Sequence, residues 1–148
     1  SALQDLRDVV SQSSESIGLE ELAADWRAEC EKRLTEAHIR LRWEESGNLS
    51  NARMSQPQAL NLTRILREAV SNIIRHSQAV NASVQLDLDA QELQLNISDD
   101  GMGCPDSAAT GRGLRYMHAR AQRLRVELTR RRPQAGGCVV ELRMPLET

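Results

Sequence analysis

Leu62, Ile65, Leu66, Ala69, Val70, Ile73 and Ile74 recur at three- and four-residue intervals. That spacing predicts an amphipathic helix over about residues 57–76. Pro57 suits its first turn, where a missing amide costs nothing. Glu68, Asn72 and His76 stand at i, i+4 and i+8, so they form a polar stripe along the edge of the apolar face. Upstream, Leu22, Ala23, Trp26, Cys30 and Leu34 predict a helix from Leu19 to about Ala37. Leu3, Leu6 and Val10 give a narrower seam over residues 2–15, too short to stand alone and read as the stub of a longer helix. Ser13, Ser14, Ser16 and Gly18 interrupt it.

The period then changes to two. Ile39, Leu41 and Trp43 alternate with Arg40, Arg42 and Glu44, which describes a half-buried strand, with His38 at its start. Glu45 to Gln56 reads as a polar loop. Ala82, Val84, Leu86 and Leu88, then Leu93, Leu95 and Ile97, predict a hairpin closed by Asp89-Ala90-Gln91. A further helix is expected from Gly111 to about Leu124, and two strands near Val126–Arg130 and Cys138–Met144. The order α–β–α–β–β–α–β–β does not put a helix between every pair of strands, which excludes a doubly wound parallel sheet. It predicts an α+β fold, a two-layer α/β sandwich. A mixed, mostly antiparallel five-stranded sheet would carry three main helices on one face and polar side chains on the other.

Composition narrows the class. The chain has 148 residues, room for one domain with a real core, and 40% hydrophobic residues. No apolar run approaches the roughly 20 residues of a spanning helix. A formal charge of -2 and a near absence of aromatics, with no Phe, argue against a nucleic-acid partner. The basic run Arg112, Arg115, Arg120, Arg123, Arg125 and Arg130–Arg132 therefore reads as a solvated face. Cys30, Cys104 and Cys138 are odd in number and far apart, which argues against structural zinc and a disulfide framework and fits a reducing compartment.

Three stretches carry candidate chemistry. Asn is a poor helix former, so Asn72 in mid-helix sits where propensity alone would not put it. Asp99-Asp100-Gly101-Met102-Gly103 ends a strand; it suits a plain β-turn, and equally a carboxylate accepting from an exocyclic amine above glycines that admit a planar ring. Gly111-Arg112-Gly113-Leu114 opens a helix whose amides favour a phosphate, though a capped flexible joint has the same composition. No third glycine completes a dinucleotide fingerprint, and no P-loop is present.

Taken in order, E-x-x-x-N-x-x-x-H, D-D-G-x-G and G-x-G-L resemble the N, G1 and G2 boxes of the Bergerat-fold ATPases. That superfamily holds gyrase, the mismatch-repair ATPase, a heat-shock chaperone and the sensor histidine kinases. The stretches REAVSNIIRHSQA, ISDDGMGC, GRGLRYMHARAQRL and GGCVVELRMPL resemble the histidine kinases that pair with LuxR/NarL-type response regulators. The resemblance covers roughly residues 20 to 146. It implies ATP and Mg²⁺ as cofactors, with Asn72 as the metal ligand. It implies Asp99 on the adenine amine and Gly101 and Gly103 on the pocket floor. It places Gly111, Arg112, Gly113 and Leu114 around the phosphates, with Arg75 and His76 nearby. Glu68 either activates the attacking group or only orients Asn72 and the metal's waters.

No histidine here has the setting of the family's phosphoacceptor, neither His38, His76 nor His118. The resemblance thus implies a catalytic domain over 17–148, with residues 1–16 as the end of a dimerisation and phosphotransfer helix. Cys104 to Thr110 would form a short lid. The implied partners are ATP, a histidine-bearing dimerisation domain of the same parent and a response regulator. The parent would be homodimeric and this fragment monomeric, the domain cytoplasmic and its parent anchored in the inner membrane. A stand-alone serine kinase of the anti-sigma type, or a non-catalytic docking module on the same fold, are the alternatives.

Overall fold

The computed structural model describes residues 16–102 and 127–145. The chain opens with a short strand, β1 (Ser16–Gly18), and a helix, α1 (Leu19–Glu36). Strand β2 (Arg40–Ser46), strand β3 (Arg53–Ser55) and helix α2 (Gln56–Asn72) follow. Strands β4 (Asn81–Leu88), β5 (Glu92–Asp99), β6 (Glu127–Arg131) and β7 (Cys138–Pro145) complete the described chain.

The main sheet has five strands in the order β2-β4-β5-β7-β6. β2 and β4 run parallel and every other neighbour pair is antiparallel, so the mixed, mostly antiparallel sheet expected from the alternation is present. Its inner face presents Ala82, Val84, Leu86, Leu93, Leu95, Ile97, Val140 and Leu142, all buried. Against it pack Leu19, Ala23, Trp26, Cys30 and Leu34 of α1 and Leu62, Ile65, Leu66, Ala69 and Val70 of α2. The outer face carries Arg42, Gln85, Gln94 and Glu141, as a one-sided antiparallel sheet requires. The third helix expected over 111–124 and the stub over 2–15 lie outside the described residues.

Local chemistry explains the boundaries. Ser55 and Gln58 form a reciprocal capping box at the start of α2, each side chain meeting the other's backbone amide at 3.2 Å. Pro57 stands in its first turn. At the far end of α1, Ile39 N donates to Leu34 O at 2.8 Å and His38 N to Thr35 O at 3.0 Å. This is a Schellman closure, and His38 takes its left-handed position with φ 62°. His38 is therefore a helix-stop residue, not the start of a strand. Asp89 closes the hairpin with Oδ1 accepting from Gln91 N and Glu92 N, both at 2.7 Å.

Three expectations need correction. Glu45 to Gln56 is not a plain polar loop: Leu49 and Met54 are buried, and β3 pairs antiparallel with β1 in a two-stranded sheet. One buried apolar residue per short segment is too little period to read. The helix expected to run to His76 is α-helical only through Asn72; Ile73–Ser77 is a π-helical turn. Cys138 is disulfide-bonded while Cys30 is a free buried thiol; wide spacing along the chain does not by itself exclude a disulfide. Burial pushes the Cys30 thiol up to about 11, so it is inert packing.

Candidate functional site

Helix α2 delivers Glu68 and Asn72, one turn apart and both half-buried, beside the buried Ala69, Val70 and Ile73. The polar stripe therefore runs along the rim of the helix's buried face. The Asn72 side chain makes no capping hydrogen bond at the turn that follows. Glu68 Oε1 lies 3.3 Å from Arg75 Nη2, with the two side chains 28% and 57% exposed. Such an ion pair is worth little.

The π-helical turn widens the backbone directly after Asn72, a distortion that recurs at functional sites. It presents Arg75 and His76 on the exposed side. Gln78, in the left-handed region at φ 53°, then turns the chain back toward the sheet.

Strand β5 delivers Asp99. Its register partners are Ala82 on β4 and Cys138 on β7, both buried on the inner face, so the Asp99 carboxylate faces the helix layer. Oδ1 accepts from Gly101 N at 2.8 Å. Burial holds the Asp99 carboxyl above the usual range; the Gly101 amide opposes this and the neighbouring Asp100 charge adds to it.

Asp100 faces the other way. Its Oδ1 accepts from Val80 N and Asn81 N, both at 2.9 Å, and its Oδ2 accepts from Asn81 Nδ2 at 2.8 Å. Asp100 N donates to Asn81 O at 3.1 Å. The segment leaving α2 is thus bound directly to the residue after Asp99. Behind it, Gly137 has φ 84°, and a Cβ there would stand 1.9 Å from the Asp99 carbonyl oxygen.

Glu68, Asn72, Arg75 and His76 stand at the end of α2 and in the turn after it, and Asp99 and Gly101 at the end of β5; Val80, Asn81 and Asp100 link the two segments. Gly103, Gly111, Arg112, Gly113 and Leu114 lie outside the described residues, as does the expected lid. A cavity of about 540 Å³ opens beside Arg40, Leu41, Arg42, Asn81, Ala82, Ser83, Ser98, Asp99 and Asp100, so the candidate Asp99 is among its lining residues while Asn72 and Glu68 are not. The roles of Asp100, Asn81 and Gly137 were missed by sequence reasoning. A second Asp in a turn and a Gly-Gly pair were visible, but their partners lie across the sheet.

The family described as "Histidine kinase-, DNA gyrase B-, and HSP90-like ATPase" matches residues 58–148, which take in most of α2, β4 to β7 and every candidate residue. The chain belongs to that family. As a member of this ATPase family it uses a nucleotide. It is 38% identical over 85 residues to the nitrate/nitrite sensor protein NarX of Escherichia coli, covering 56% of this chain and 14% of NarX. It is 33% identical over 148 residues to the sensor histidine kinase YxjM of Bacillus subtilis, covering 99% of this chain and 35% of YxjM. The chain thus spans about a third or less of these relatives. The solved histidine kinase AdeS of Acinetobacter baumannii superposes with a TM-score of 0.71 at 17% identity. That match covers 99% of this chain and 77% of AdeS and shows the shared fold. The ATPase-family chain accordingly groups with the histidine kinases. Among the described residues no helix is long and apolar enough to cross a membrane.

Proposed function

We propose that this chain is the catalytic domain of a sensor histidine kinase, over residues 17–148, with residues 1–16 as the end of the parent's phosphotransfer helix. It binds Mg-ATP and delivers the γ-phosphoryl to a histidine on a separate dimerisation domain of the same parent. A LuxR/NarL-type response regulator receives the phosphoryl next. The parent is a homodimer anchored in the inner membrane. Catalysis is positioning and charge neutralisation.

One observation supports this reading: Asn72, whose side chain caps nothing, ends α2 and a half-buried Asp99 carboxylate ends β5, the two segments joined through Asp100, in a chain of the ATPase family. The donor set fits a magnesium ion. Mg²⁺ takes one or two protein oxygens and fills the rest with phosphate and water. Asn72 supplies one such oxygen, and among the described residues no cluster of three acidic, His or Cys side chains competes for it. When bound, the ion would neutralise phosphate charge. Glu68, paired with Arg75 and one turn from Asn72, would orient the ion's waters or activate the attacking group. Arg75 releases Glu68 as its guanidinium turns to the phosphates. Asp99 accepts from the adenine amine, and Gly103, Gly111, Arg112, Gly113 and Leu114 complete the pocket.

Calorimetric titration of Asn72→Ala with ATP, with and without Mg²⁺, tests the reading. Loss of the magnesium-dependent heat with an unchanged melting temperature is expected. Undiminished magnesium-dependent affinity would remove Asn72 from the site.

A further inference from the structure

Asp99 is half-buried at the last position of a strand, where a chain end ordinarily frays. Its own side chain has one described hydrogen bond, from Gly101 two residues on. What fixes its backbone is the next residue. Asp100 uses both carboxylate oxygens and its amide on the start of β4, through Val80 N, Asn81 N, Asn81 Nδ2 and Asn81 O. Val80 is eight residues after Asn72 and is separated from the π-helical turn only by Gln78 and Ala79. Arg40 N in turn donates to Val80 O at 2.9 Å, which ties the same segment to β2. One exposed side chain therefore clamps the exit of the helix bearing Asn72 to the strand end bearing Asp99.

We infer that Asp100 is a positioning residue for purine selection: it aims the Asp99 carboxylate, and it couples the base end of the site to the metal end. This rests on the nucleotide-binding reading of Asn72 and Asp99. Asp100 itself faces the outer side of the sheet and touches no nucleotide. Removing it would free the 99–101 turn to sample orientations in which Asp99 no longer separates an exocyclic amine from a carbonyl.

Affinities of the 148-residue chain for Mg-ATP and Mg-GTP, measured by titration, test this in three variants. Asp100→Ala should reduce the ATP-over-GTP preference by about tenfold, the size of losing roughly one charge-assisted hydrogen bond. Asp100→Asn should restore most of it, since its oxygen still accepts from Val80 and Asn81 and the Asn81 amide can flip to meet its nitrogen. Asn81→Ala, which keeps both backbone bonds, should fall between. If Asp100→Ala melts earlier yet keeps the full preference, Asp100 is only a structural staple and the inference is overturned. If the unaltered chain binds neither nucleotide, the underlying reading fails and takes the inference with it. If the unaltered chain prefers ATP and Asp100→Ala prefers it by the same factor, only the inference fails.

Discussion

Asp99 ends β5 and Asp100 follows it, and their carboxyls are displaced in opposite directions. Burial raises Asp99. Asp100 is lowered, first by the backbone hydrogen bond from Asn81 and then by that residue's side chain. The signs give opposite dependences of stability on pH. A raised carboxyl favours the folded state below its unfolded pKa and loses that contribution as pH rises through the folded value. Ionised Asp99 therefore opposes folding at neutral pH. Asp99→Asn keeps an oxygen for the Gly101 amide and removes the buried charge. It should melt higher than the parent at pH 7, the gap closing as pH falls through the raised Asp99 value. ATP affinity should fall at the same time, and melting scans from pH 3 to 8 beside an ATP titration read both. Asp100→Ala should do the reverse to stability, melting lower at neutral pH with the deficit shrinking in acid. A polar group held at a stability disadvantage is what a binding role leaves behind.

Among the elements, the stop of α1 is set by a residue that backbone sterics disfavour. His38 occupies a left-handed position that glycine fills without strain. His38→Gly should therefore stabilise the domain by about 1 kcal/mol, less the added freedom of the unfolded chain, and raise the melting temperature by a few degrees. An unchanged or lower midpoint would mean that the histidine side chain has a compensating role. The same element shows what sequence could and could not reveal. Helices α1 and α2 and the β4–β5 hairpin were legible because each repeats its apolar period several times, from Leu22 to Leu34, Leu62 to Ile74, and Val84 to Ile97. Gln78 and His38 in left-handed conformations were not, because no glycine marked them. The β1–β3 pair was hidden because Ile17 and Met54 each stand alone. At the site, Asn72 stood out as a residue type out of place, whereas Asp99 suited a plain turn and was singled out only by the family resemblance. Asp100's grip on Val80 and Asn81 was not, since a turn aspartate reads the same whether its partners lie two residues or a whole strand away.

At the scale of the whole molecule, the sheet order places β7 between β5 and β6, so the entry of β7 is the wall behind Asp99. Gly137 makes that wall possible: its φ of 84° suits glycine, and a Cβ would lie 1.9 Å from the Asp99 carbonyl oxygen and 2.9 Å from its carbonyl carbon. Backbone on both sides leaves no flexible side chain to yield. Gly137→Ala should therefore cost about 2 kcal/mol or more in stability, read by denaturant unfolding. It should also lower nucleotide affinity, because the displaced strand end carries Asp99. Loss of packing alone predicts a different pair of results. Leu86 is fully buried in β4, away from the end where Asp99 sits. Leu86→Ala should cost about 2–5 kcal/mol and, measured well below its midpoint, leave the affinity of the folded fraction unchanged. If the two variants lose affinity in proportion to stability alone, the sheet transmits no specific positioning from Gly137 to Asp99. If Gly137→Ala loses affinity beyond that proportion, the tight crossing of β5 and β7 is part of how this fold holds its ligand.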